Sequence, residues 1–243
     1  MKYNYLNGVA WEQPSAAAIE NEIAVFRIGL NDKSKLIHYL ASFLQADELA
    51  RAERYHKISD QKRFIITRAV LRILLGKYAN QTPYEIEFSI GLNKKPTFKN
   101  NLGLHYNVSH SKSWALIAVA TVEVGIDVEK VDQHFVFQDI LQHSFSLQEK
   151  NIIQNSGESR GLFYQSWTRK EALVKATARG IDADFYAIPS LDGIYHLQDE
   201  RNAKEWVVSS FGISPTYVAA VAYPVDARAR SLRFYDFDLF ATY

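Results

Sequence analysis

Along the chain the spacing of apolar residues switches several times between the period of a strand and that of a helix. "EIAVFRIGL" (22–30) alternates and predicts an early strand. "KLIHYLASFLQADELARAERYHK" (35–57) carries Leu36, Leu40, Phe43 and Leu44 at helical spacing, with a break expected near Gln45-Ala46-Asp47. "DQKRFIITRAVLRILLGKYAN" (60–80) is the clearest helix: Phe64, Ile65, Ala69, Leu71, Ile73 and Leu75 populate a core face, and Asp60 is placed to cap it. "EIEFSI" (85–90) alternates, "LNKKPTF" (92–98) is a Pro-marked turn, and "HYNVSHSKSWALIAVAT" (105–121) reads as strand, polar turn, strand.

The second half repeats this grammar. "VGIDVEKV" (124–131) reads as a strand, and "FVFQDILQHSF" (135–145) and "SLQEKNIIQN" (146–155) as helices ahead of the turn "SGES" (156–159). "LFYQSWTRKEALVKATARG" (162–180) is a long helix with Gly180 as its expected C-cap. "EWVVSSFGI" (205–213), "YVAAVAY" (217–223) and "SLRFYDFDLF" (231–240) are β-rich by their Val, Tyr and Phe. "TRAVLR" in the first long helix is echoed by "TRKEALVK" in the second, which suggests a duplicated α+β unit joined near Val122–Val124, with a ligand cleft between the halves.

Composition narrows the chemistry. The 243 residues are 47% hydrophobic and 23% charged, with a net charge of +1, so nothing global favours nucleic acid or an anionic membrane as partner. Cysteine is absent, which excludes disulfides, thiolate metal sites and a cysteine nucleophile. The opening "MKYNYLNGVAWEQPS" has neither an apolar core nor a small-residue cleavage site, and "WALIAVATVEVGI" is too short and polar to span a bilayer, so a cytoplasmic protein is expected.

Asp127 and Glu129 lie two apart on the "VGIDVEKV" strand and so project to one side, a few ångströms from each other. Either this is an edge strand with both acids in water, or it is half of a metal site. Glu171 and Lys175 share one helix face with Trp167 a turn back; they form either a surface ion pair or part of a cleft wall. Together Asp127, Glu129 and Glu171 offer only hard oxygen donors, the set preferred by Mg²⁺, which usually binds with substrate phosphates. Cations for phosphates are at hand in Lys170 and Lys175, in Lys94 and Lys95, and in Arg51, Arg54, Lys62 and Arg63. "NVSHSKSW" (107–114) lacks the Gly-x-Ser-x-Gly elbow of a hydrolase, and neighbouring Ser109 and His110 would point opposite ways. They form either a plain polar turn or an anion-holding one. P-loop and Rossmann glycine motifs are missing.

"GIDVE" (125–129) followed by "WTRKEALVK" (167–175) resembles the two signature motifs of the 4′-phosphopantetheinyl transferases. "NVSHS" (107–111), "KP" (95–96) and the basic segment "RAERYHKISDQKRF" (51–64) match in order, as in the larger, pseudo-dimeric surfactin type and unlike the small trimeric holo-acyl-carrier-protein synthase type. The resemblance implies an α+β fold of two similar α/β subdomains, 1–123 and 124–243, related by a pseudo-two-fold. Each would be a long helix packed on a mainly antiparallel sheet, with the active site in the cleft between them. The first subdomain would contact the adenine and 3′-phosphate of coenzyme A, and the second would carry the metal-binding acids and the catalytic helix.

Carried over by position, the resemblance puts Mg²⁺ on Asp127, Glu129 and Glu171. Lys175 would contact the pyrophosphate, with Lys170, next to Glu171, as a further coenzyme contact; Ser109 and His110 the coenzyme phosphates; Arg51, Arg63 and Lys95 the 3′-phosphate and adenine. Lys94 stands where the family commonly has glycine. The implied reaction moves the 4′-phosphopantetheine arm of coenzyme A onto a serine of an acyl or peptidyl carrier protein and releases adenosine 3′,5′-bisphosphate. Glu171 is the first candidate for the base and Glu129 the second, while Lys175 and His110 stabilise charge. The chain is expected to act as a monomer without nucleic acid or membrane. The competing reading is a coenzyme A-binding protein without transferase activity; a metal-dependent phosphodiesterase is disfavoured by the scarcity of histidine near the acids.

Overall fold

A computed structural model describes residues 5–6, 8–14, 22–31, 36–91, 93, 95–99, 103–179, 185–191, 193–198, 203–229 and 231–238 of the chain. Lys94 and Gly180, both singled out above, lie outside the described residues. In chain order the elements are β1 (Tyr5–Leu6), β2 (Glu22–Gly29), α1 (Ile37–Ala41), α2 (Ala46–Glu53), α3 (Ile58–Ala79), β3 (Phe88–Ile90), β4 (Pro96–Phe98), β5 (His105–Ser111), β6 (Trp114–Ala120) and β7 (Gly125–Lys130). There follow α4 (Gln138–Ser144), α5 (Leu147–Gln154), α6 (Ser159–Thr177), β8 (Gly193–Gln198), β9 (Ala203–Ser214), β10 (Tyr217–Pro224) and β11 (Ser231–Asp236). The mixture of helix and sheet is the α+β class expected.

Two sheets stack at the centre. One has the order β11-β2-β6-β5; the other runs β1-β9-β10-β7, with β8 added to β9. Alternation along each strand builds three apolar layers from these two sheets. Ile23 and Val25 of β2 and Leu116 and Ala118 of β6 meet Ile126, Val128, Phe211, Ala219 and Val221 in the inter-sheet core. The intervening Ala24, Phe26, Ile117 and Val119 face α3 on the outside, and Ala220 and Ala222 face α6 on the opposite outside. Between Ile65 and Gly76, α3 buries almost every residue, because the sheet covers one side and α1 and α2 cover the other. That all-round burial is why its apolar residues spread beyond a single stripe.

Both halves run strand, helices, long helix, antiparallel hairpin, and in both the second hairpin strand sits beside the opening strand: β2-β6-β5 and β7-β10-β9. The chain ends cross between them. β11 lies parallel to β2 in the first sheet, and β1 lies parallel to β9 in the second. A cut between residues 123 and 124 therefore leaves each sheet with a strand from the other segment.

Local differences from the sequence expectations have plain causes. α3 begins at Ile58, so Asp60 is not its cap but lies in the first turn, paired with Arg63. Ser109 and His110 belong to β5 itself; the turn is Lys112-Ser113, with Lys112 at φ 48°. α6 stops at Ala178, in the left-handed region at φ 54°, where Asn93 donates its side-chain amide to the carbonyls of Ala178 (2.6 Å) and Arg179 (3.1 Å). β8 was not anticipated from the sequence.

Candidate active site

Because Ile126 and Val128 enter the inter-sheet core, Gly125, Asp127 and Glu129 project to the other face of β7, beneath α6. The helix descends so closely that a Cβ on Gly125 would fall 2.0 Å from the Ala172 carbonyl oxygen and 2.4 Å from the Ala176 nitrogen. Only glycine permits that approach. It brings Lys175 down onto the strand: Nζ lies 2.7 Å from Asp127 Oδ1 and donates also to Ser109 Oγ (3.3 Å) and the Ile126 carbonyl (3.4 Å).

Strand β5 forms the facing wall. Asn107, Ser109 and Ser111 share one face and reach across to β7. Asn107 Oδ1 accepts from the Ile126 amide (2.9 Å), and Ser109 Oγ donates to Asp127 Oδ1 (2.7 Å). Ser111 Oγ donates to Glu129 Oε2 (2.9 Å) and accepts from the Lys130 amide (3.1 Å). β5 and β7 belong to different sheets, so side chains hold this seam together. His110, pointing the other way, faces α3.

The acids feel one another. Burial, followed by the negative charge of Asp127, raises the Glu129 pKa to about 7; Ser111 and Lys175 oppose the shift, and Glu171 adds to it. Burial also raises that of Glu171, against Lys175 and together with Asp127. Asp127 Oδ2 is buried without a hydrogen-bond partner. Among the described residues, no three His, Asp or Glu side chains are drawn closely enough together to hold a metal ion unaided. The chemistry of the set still suits a hard divalent cation: carboxylates only, mutually repelling, with one oxygen left open.

Two cavities flank the end of β5. The first, of about 200 Å³, lies against α3 and is lined by Arg51, Phe64, Arg68, Tyr106 and His110, among others. The Arg51 guanidinium covers the Phe64 ring at 5.1 Å, and that of Arg68 covers Phe88 at 4.5 Å. Desolvation, then the nearby Arg63 charge, holds the His110 pKa below its ordinary value. The second cavity, of about 770 Å³, begins at Ser111 and Glu129 and runs along Val131, Phe163, Tyr164 and Trp167.

The structure thus gathers Ser109, Asp127, Glu129, Glu171 and Lys175, with His110 and Arg51 on the neighbouring wall and Arg63, paired with Asp60, close enough for its charge to act on His110. Two expected coenzyme contacts have their ammonium groups engaged by protein. Lys170 is fully buried behind α6; it pairs with Glu149 at 3.1 Å and donates to the carbonyls of Tyr186 and Ile188. Its neighbour Glu171 faces the site because successive helix residues point about a quarter-turn apart. Lys95 donates to the carbonyls of Val124 (3.3 Å) and Ala176 (3.2 Å).

Residues 123–222 match the 4′-phosphopantetheinyl transferase superfamily, and residues 31–122 match the family described as 4′-phosphopantetheinyl transferase, N-terminal. The 4′-phosphopantetheinyl transferase HetI of Nostoc sp. is 32% identical over 174 residues, which is 69% of this chain and 73% of that protein. The chain belongs to the 4′-phosphopantetheinyl transferase superfamily. Similar members include psf-1 of Bacillus pumilus, 29% identical over 79% of this chain and 84% of its own, and Sfp of Bacillus subtilis, 23% identical over 74% and 82%. The chain is accordingly a transferase of this superfamily. Sequence reasoning had passed over the bridging role of Asn107 and Ser111 and the place of Arg68 on the cavity wall. The polar period of two in "NVSHS" was the available signal for the first pair.

Proposed function

We propose that the protein transfers the 4′-phosphopantetheine arm of coenzyme A to a serine of an acyl or peptidyl carrier protein. The carrying observation is the seam itself: Lys175, three mutually repelling carboxylates and an unpartnered Asp127 oxygen lie between a cavity bearing Arg51, Arg68 and His110 and a second one bearing Phe163, Tyr164 and Trp167. The adenine and 3′-phosphate end would sit toward Arg51, Arg63 and His110, where cationic and aromatic groups suit it. The pantetheine arm would extend along Trp167 and Tyr164. Asp127, Glu129 and Glu171 would hold Mg²⁺, which when bound supplies neutralising charge to the pyrophosphate oxygens. We read the matched halves as a pseudo-two-fold repeat in a monomer. Among the described residues, no helix is long and apolar enough to cross a membrane.

The residues then act as follows. Glu171, made more basic than an exposed glutamate by its burial, takes the proton of the carrier's serine hydroxyl. The serine oxygen bonds to the phosphorus that carries the pantetheine arm. The bond from that phosphorus to the bridging oxygen breaks, and adenosine 3′,5′-bisphosphate leaves with the electron pair. Lys175 stays beside the pyrophosphate oxygens and stabilises the charge that shifts to the leaving group, while His110, on the opposite face of β5, serves the 3′-phosphate end instead of the pyrophosphate. Ser109 keeps Asp127 and Lys175 in register.

Mass spectrometry of apo carriers incubated with coenzyme A and Mg²⁺ tests this. The arm should appear on the carrier, stop with EDTA and return with Mg²⁺; coenzyme A binding without any modified carrier would leave only the binding-protein reading. Glu171→Gln should bind coenzyme A but lose about three orders of magnitude in turnover, and near-normal turnover would remove Glu171 as base.

A further inference from the structure

The lysine of the "KP" pair lines a cavity but commits its ammonium to protein carbonyls. Lys95 Nζ donates to two carbonyls, those of Val124 and Ala176. Val124 immediately precedes the strand that carries Asp127 and Glu129, and Ala176 immediately follows Lys175. From the same loop Asn93, at φ 49°, donates to the carbonyls of Ala178 and Arg179 just beyond the helix. The last carbonyls of a helix lack intrahelical partners, and a cation there also complements the helix dipole. Here both needs are met by a loop of the first half. Burial pulls the Lys95 pKa down to about 8, with Glu123 opposing. The joint lies where Gly125 already lets α6 touch β7, at the Ala176 nitrogen.

We propose that Lys95 and Asn93 are positioning residues: their side chains pin the last turn of α6 to the entry of β7, so that Lys175 and Glu171 stand opposite Asp127, and the Lys95 ammonium is spent on backbone carbonyls and not on a coenzyme phosphate. This rests on the transferase reading and departs from the role that the family resemblance implies for Lys95. It divides the labour of the loop from that of the arginines. Arg51 and Arg63 would set affinity for the coenzyme, whereas Lys95 and Asn93 would set the rate once it is bound.

The test uses the full chain with Lys95→Met, Lys95→Arg, Asn93→Ala and the Lys95→Met/Asn93→Ala double variant. Coenzyme A is varied at saturating apo carrier, and amide exchange is followed in residues 174–178. Both Lys95→Met and Asn93→Ala should lower kcat, Lys95→Met by about 10-fold, with KM for coenzyme A moving by less than about 2-fold. The double variant should lose less than the product of the two, because one joint is broken twice. Lys95→Arg keeps the charge but not the fit between two carbonyls, so it should also lose kcat. A KM increase of about 10-fold with kcat preserved in Lys95→Met, rescued by Lys95→Arg, would return Lys95 to the coenzyme and overturn the proposal. Unchanged kinetics would overturn it too. Should Lys95→Met fail to accumulate, Asn93→Ala and Lys95→Arg carry the same comparison. If the wild type modifies no carrier, the transferase reading fails instead; amide exchange then decides the joint, since faster exchange in the variants supports the pin and unchanged exchange refutes it.

Discussion

Glu129 holds a single hydrogen bond from Ser111 while facing Asp127 and Glu171, and its pKa rises from 4.5 to about 7. The folded protein therefore binds a proton there that the unfolded chain releases between about 4.5 and about 7, so stability contributed at this position falls as pH rises through that window. Metal-free thermal melts should show that loss, and Glu129→Gln should flatten it; equal slopes in both proteins would contradict the shift. The Mg²⁺ proposed to bind here would compete with the same proton, so its affinity should rise with pH up to about 7 and its uptake should release acid, measurable by calorimetry in buffers of different ionisation heat. At this scale the sequence was legible where periodicity decides direction. Asp127 and Glu129 share a face because strands alternate, and Ser109 and His110 part for the same reason. It was not legible for Lys95 and Lys170, since a lysine's charge does not say whether its partner is a phosphate, Glu149 or a backbone carbonyl.

Helix α6 is fixed from both sides. In front, Gly125 lets it settle on β7; behind, Lys170 is bound to Glu149, whose other oxygen accepts from the Ser190 amide (2.8 Å) and hydroxyl (2.6 Å). Gly125→Ala would drive a methyl into helix backbone on one side with no room on the other, costing about 3 kcal/mol or more. Denaturant melts should show this loss together with reduced turnover, and a variant of wild-type stability would mean that α6 can lift freely. Lys170→Met leaves the buried Glu149 carboxylate without its cation, a loss of about 3 kcal/mol, whereas its coenzyme A KM should stay near the wild-type value. A raised KM would restore Lys170 to the coenzyme. The elements themselves were largely readable. Both long helices, the break before α2 and the β5–β6 hairpin follow from apolar spacing and turn residues. Helix ends were less so: α6 ends where Asn93, remote in sequence, meets its carbonyls, and no local pattern announces that.

Across the whole molecule, parallel pairing of β11 with β2 and of β1 with β9 ties each half to the opposite end of the chain. Parallel partners so distant in sequence carry no mutual mark, which is why the boundary between 123 and 124 looked cleaner from sequence than the sheets make it. Arg27 reinforces the tie, bound at 3.1 and 3.0 Å to both oxygens of Asp236 and lying over the Trp11 ring at 4.4 Å. Unfolding should therefore be one transition. Fluorescence, with Trp11 and Trp114 beside Arg27 and Trp167 and Trp206 near α6, should melt together with the far-ultraviolet signal, and two separated transitions would show that the halves fold independently. Removal of residues 231–243 should lower that single midpoint. The polar seam between β5 and β7 has the opposite character, for it depends on Asn107, Ser109 and Ser111, three small groups on one strand. Drift at those positions would leave a well-packed chain with its three acids and Lys175 intact and its chemistry silenced, so a relative keeping "GIDVE" but lacking this polar comb is a candidate pseudoenzyme.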